Sequence, residues 1–96
     1  MKMQRHFEIG NKAAVQQLAQ ISTMIADFDR TLQILDCEIL TEEERAQVRD
    51  PTDIAYPILA RAMRIRRDNL KVTIGLLEQR LDRTRVMLSE TTATAA

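Results

Sequence analysis

From Leu18 to Ile39 large apolar residues recur without a break: Leu18, Ile21, Ile25, Phe28, Leu32, Leu35 and Ile39, at alternating steps of three and four. That spacing is the a/d seam of a coiled-coil helix. A stripe so narrow and so long must be covered by another helix along its length. Between Pro57 and Ser89 a second helical pattern supplies a mate, the row Leu59, Met63, Leu70, Ile74, Leu77, Leu81 and Leu88. The expected fold is therefore all-α: two long antiparallel helices in a coiled-coil-like helical hairpin with a short connector helix.

The boundaries follow from local chemistry. Residues 1–10 have no clear period and Gly10 interrupts a helix, so they read as a loose N-terminal arm. Asn11 is a candidate N-cap. A single hairpin domain is expected over residues 11–89, with a first helix over 12–40, a short helix over 42–49 and a second long helix over 56–89. Thr41 followed by Glu44 has the capping-box spacing for the short helix. Asp50-Pro51 stops that helix, because a residue before proline avoids the helical region. Pro57 belongs in the first turn of the second helix, where a missing N–H costs nothing. Residues 90–96 are low in complexity and read as a frayed, disordered tail.

The second long helix carries more apolar surface than one partner covers. Beside its first row runs another: Ile58, Ala62, Ile65, Asn69, Val72, Leu76 and Met87, displaced by roughly a third of a turn on a helical wheel. A monomeric hairpin would leave Ile58, Ile65, Val72 and Leu76 in water, and contiguous exposed apolar area of that kind marks an interaction surface. The closed solution is an isologous dimer in which Ile58, Ala62, Ile65, Asn69, Val72 and Leu76 form the interface, giving a four-helix bundle. Asn69 either fixes register there or sits solvated at the row's edge.

Composition narrows the function classes. In a chain of 96 residues, two helices in a hairpin bury one seam, and oligomerisation is the usual remedy for so small a core. Fourteen basic residues balance fourteen acidic ones, which removes the argument for non-specific nucleic-acid binding. The balance is uneven: residues 1–50 carry six basic and nine acidic groups, residues 51–96 eight and five. The single cysteine, Cys37, allows no disulfide within the chain and fits a reducing cytoplasm. The opening MKMQRHFEIG lacks an apolar run after its basic start, so a secretory signal is not expected. No apolar run approaches the ~20 residues of a membrane span.

Residues with chemical capability do not assemble into a recognisable motif. His6 is the only histidine and lies in the arm, with no nucleophile or further ligand placed beside it. Asp27, Asp29, Asp36 and Glu38 lack the Glu-x-x-His pairs of a di-iron bundle and read as a solvated face. Glu42, Glu43 and Glu44 read as the acidic start of the connector helix. Cys37 and Tyr56 read as passive and packing residues. No catalytic, cofactor or metal site is expected.

The reading is thus a non-enzymatic helical oligomerisation and protein-interaction module, a small adaptor or chaperone-like protein. Its partner is a second copy or another protein helix. The alternative is a nucleic-acid-associated protein gripping phosphates through Arg61, Arg64, Arg66, Arg67 and Lys71, although no aromatics interleave that run for base stacking.

Overall fold

The computed structural model describes residues 2–95, with side chains described over residues 11–90. It is all-helical: α1 spans Lys2–Ala46 and α2 spans Ile58–Ala95, and no strand occurs among the described residues. The chain divides into two compact units, Asp27–Ile74 and Met1–Ala26 with Gly75–Ala96.

The unit Asp27–Ile74 contains the end of α1, the intervening loop and the start of α2. Leu35, Ile39 and Met63 form its core, with Leu70 packed against them. Ala60 and Tyr56 are buried as well. Phe28 and Leu32 are half-buried. Arg67 reaches Asp36 at 3.5 Å and Arg64 reaches Glu43 at 3.1 Å, pairings that run antiparallel along the two helices. Burying a large apolar side chain contributes roughly 1.5–3 kcal/mol, so this small cluster stabilises the unit.

In the other unit Ile21 is buried, while Leu18, Ile25, Leu77, Leu81 and Leu88 are half-buried. With its oxygen turned to Arg80, the Gln17 carboxamide accepts from Nη2 at 2.9 Å. The early part of α1 therefore lies against the late part of α2, again antiparallel.

Every residue of the Leu18-to-Ile39 seam is buried or half-buried. On α2 Ala60, Met63, Ile74 and Thr84 are buried and Arg67, Leu70, Leu77, Leu81 and Leu88 half-buried, together an alternation of three and four, with Arg64 and Gly75 half-buried beside it. Leu59, expected in this seam, is 55% exposed. The reason is that the seam holds small and polar residues. Ala60, Arg67 and Thr84 occupy core positions that a search for large apolar residues passes over.

The element boundaries also differ from expectation. α1 starts at Lys2 and runs through Gly10 and Asn11, over the segment read as a loose arm. One helical glycine costs only about 1 kcal/mol, too little to end a helix flanked by good helix formers. Asn11 is therefore internal rather than a cap, and its buried Oδ1 has no hydrogen-bond partner among the described residues. Residues 42–46 complete α1 instead of opening a connector helix. Thr41 does not cap them: its hydroxyl donates to the Cys37 carbonyl at 2.9 Å, as threonines inside a helix do. Nothing before Thr41 breaks the helix, so no new start is needed. α2 begins at Ile58 and continues past Ser89 to Ala95. Met1 and Ala96 lie outside the described residues.

The loop over residues 47–57 is tightly specified. Gln47 takes a left-handed conformation, φ 56°, and ends α1. Its N–H donates to the Glu44 carbonyl, and the Val48 N–H donates to that of Glu43, both at 3.2 Å. These are the two bonds of a Schellman motif, here with glutamine where glycine is usual. Asp50 Oδ1 accepts from the Thr52 N–H and hydroxyl, and Asp53 Oδ1 from the Ala55 N–H. The Thr52 bonds lower the Asp50 pKa below its ordinary value. Pro57 is the residue just before α2, and its carbonyl accepts the first helical N–H, from Arg61, at 3.1 Å.

Candidate functional site

Two features of the unit Asp27–Ile74 are candidates, an exposed apolar row and a buried polar cluster. The row is the one expected from sequence. Ile58 is 86% exposed, Ile65 58% and Val72 64%. Ala62 and Asn69 between them are exposed as well. In the other unit Leu76 is 60% exposed.

The position of the row differs from expectation. Because the seam is centred on Ala60, Met63, Arg67, Leu70 and Ile74, the row lies about 160° away at the standard helical turn, rather than a third of a turn. It faces almost directly away from α1. One edge of the row carries Arg61 and Asp68, and the other carries Arg66. All three are exposed.

The buried polar cluster links the end of α1 to the loop and to α2. Glu43 is 5% exposed and Tyr56 3%. The Tyr56 hydroxyl donates to Glu43 Oε2 at 2.9 Å. Arg64 Nη2 donates to the same oxygen at 3.1 Å, and Arg64 Nε donates to the Tyr56 hydroxyl at 2.7 Å. The guanidinium carbons of Arg61 and Arg64 stand 5.8 and 5.6 Å from the Tyr56 ring centroid, within cation–π range.

Electrostatics explains how a carboxylate is tolerated there. Burial pushes the Glu43 carboxyl up, but hydrogen bonds from Tyr56 and Arg64, with the Arg64 and Arg49 charges, outweigh it and hold the group below its ordinary value. Burial and the bond to Glu43 raise the Tyr56 phenol, against an opposing pull from Arg64. Burial alone would lower Arg64, yet its bonds to Glu43 and Tyr56 raise it. Each group bonds to the other two. The three side chains clasp the end of α1 to the loop and to the start of α2.

Sequence reasoning assigned Glu42, Glu43 and Glu44 to a helix start and read Tyr56 as packing. Glu43 sits instead in the last turn of α1, where the helix dipole disfavours it and Arg64 compensates. The sequence signal that could have found it is spacing: Glu43 follows Ile39 by four, which keeps it beside the seam.

The basic run is largely committed within the chain. Arg64 belongs to the clasp, and Arg67 contacts Asp36 and Asp68. Arg61 stacks on Tyr56, while Arg66 and Lys71 are exposed. Asp27 pairs with Arg30, and Asp29 and Glu38 lie on the exposed side of α1. Cys37 is a free, exposed thiol beside Ile34 in a shallow, open depression that Arg30, Gln33 and Glu38 complete. The His6 side chain lies outside the described residues. Among the described residues, no group of three or more His, Cys, Asp or Glu side chains is arranged to hold a metal ion. No helix of the described residues is long and apolar enough to cross a membrane. No protein-family model, no curated protein and no solved structure matches this chain.

Proposed function

We propose that this chain is a non-enzymatic protein-interaction module that homodimerises through the outer face of α2. The observation that carries this reading is the exposed row Ile58, Ala62, Ile65, Asn69, Val72 and Leu76, with its isoleucines, valine and leucine at 58–86% exposure. Solvated apolar side chains at coiled-coil spacing ask for a helix, and a second copy is always at hand. A square four-helix bundle would need two contacts about a quarter turn apart on α2. The opposed faces around residues 58–74 favour a flat row instead, α1–α2–α2–α1. The lone exposed Cys37 suits a reducing compartment, and the cytoplasm is the proposed location.

An obligate dimer gains stability by mass action, so its thermal midpoint should rise with protein concentration. Circular dichroism melts over a hundredfold concentration range test this. Ile65→Asp combined with Leu76→Asp should remove the dependence while leaving a helical protein. A midpoint independent of concentration in the unaltered chain would count against dimerisation. The nucleic-acid reading has less support, because Arg64 is held by Glu43 and Tyr56 and is only partly available to a phosphate.

A further inference from the structure

We infer that the end segments Met1–Ala26 and Gly75–Ala96 open together, as a cooperative unit of their own, while the unit Asp27–Ile74 stays closed. Stabilising contacts are concentrated in the unit Asp27–Ile74. Of the nine residues buried among the described side chains, seven lie there, and the end segments hold Ile21 and Thr84. Two ion pairs join α1 to α2 within Asp27–Ile74, Arg64 with Glu43 and Arg67 with Asp36, and Tyr56 adds its hydrogen bond to Glu43. Between the end segments the Gln17 carboxamide accepts from Arg80. The buried Thr84 hydroxyl donates to the Arg80 carbonyl of its own helix at 2.9 Å, so it does not tie α2 to α1.

Connectivity acts in the same direction. The loop over residues 47–57 joins α1 to α2 inside the unit Asp27–Ile74, whereas the end segments are joined only through that whole unit. Closing the end segments before the loop end would cost more loop-closure entropy, so they close last and open first. Once apart, each loses the packing that sustains most helices in water, and its amides meet solvent. Gly75 stands at the boundary, the first residue of its segment. A Cβ there meets nothing within 4 Å, so packing does not call for glycine, and its effect is to weaken α2 where the segment begins. Opening bares Leu18, Ile21 and Ile25 of α1 and Leu77 and Leu81 of α2, apolar residues that the closed state covers wholly or in part.

Hydrogen exchange of the full chain, read by mass spectrometry, tests this at residues 12–24 and 78–90, outside the row from Ile58 to Leu76. Amides there should exchange about tenfold or more faster than those of residues 32–42 in α1. Glu43→Gln and Met63→Ala, each confirmed as folded by circular dichroism, should speed exchange at residues 32–42 and leave the end segments unchanged. Both substitutions weaken the closed and the part-open states equally, so the opening equilibrium of the end segments does not move. Gly75→Ala should slow exchange in the end segments about fivefold, the factor to which the helical cost of glycine converts. Equal exchange in the end segments and at residues 32–42 would overturn the inference. End segments accelerated as much as residues 32–42 by Glu43→Gln or Met63→Ala, or unmoved by Gly75→Ala, would overturn it as well.

Discussion

Glu43 shows how one residue's meaning depends on its neighbours in space. In sequence it is the middle of three acids. In the fold it is buried and held as a carboxylate by Tyr56 and Arg64. Removing its charge leaves Arg64 without a counter-ion in a half-buried position. Glu43→Gln should therefore destabilise the chain by about 2–3 kcal/mol, below the full cost for a wholly buried pair, as read by chemical denaturation. The pH dependence has a defined sign. The folded pKa of Glu43 is depressed, so its contribution is complete above the unfolded value of about 4.3 and is lost as pH falls through the folded value. The acid limb of the stability curve should flatten in Glu43→Gln, and an unchanged limb would show that Glu43 does not govern it. At Gln47 the backbone carries strain that glycine lacks, φ being 56°. Gln47→Gly should stabilise by about 1 kcal/mol, the left-handed penalty it relieves.

At the scale of the helices, α1 was far more legible than α2. The α1 seam contains only large apolar residues from Leu18 to Ile39, and period alone identifies them. In α2 the same period runs through Ala60, Arg67 and Thr84, so a hydrophobicity pattern slides to Leu59 and places the outer row too near the seam. Element ends were least legible. Thr41-x-x-Glu44 reads as a cap only if the preceding turn ends, and nothing in Ile39-Leu40 ends it. Of the clasp only the place of Glu43 beside the seam was legible, four residues after Ile39; its partners Tyr56 and Arg64 lie 13 and 21 residues away in sequence. The seam assignment makes a differential prediction. Met63→Ala should cost about 2–3 kcal/mol, whereas Leu59→Ala should cost less than about 1 kcal/mol. Gly75 offers a gain: a Cβ there meets nothing within 4 Å, so Gly75→Ala should stabilise α2 by about 1 kcal/mol.

For the whole molecule, the account turns on the outer face of α2. In the unit Asp27–Ile74 α1 covers one side of that helix and leaves Ile58, Ile65 and Val72 exposed, and Leu76 is exposed in the other unit. Their cover by a second copy is the central claim, and mass in solution tests it most directly. Sedimentation equilibrium at tens of micromolar should give twice the chain mass of 11.0 kDa for the unaltered protein. Ile65→Asp should bring it to the single-chain mass with helicity retained. An unaltered protein that sediments at 11.0 kDa, or an Ile65→Asp variant whose mass stays doubled, would contradict the account.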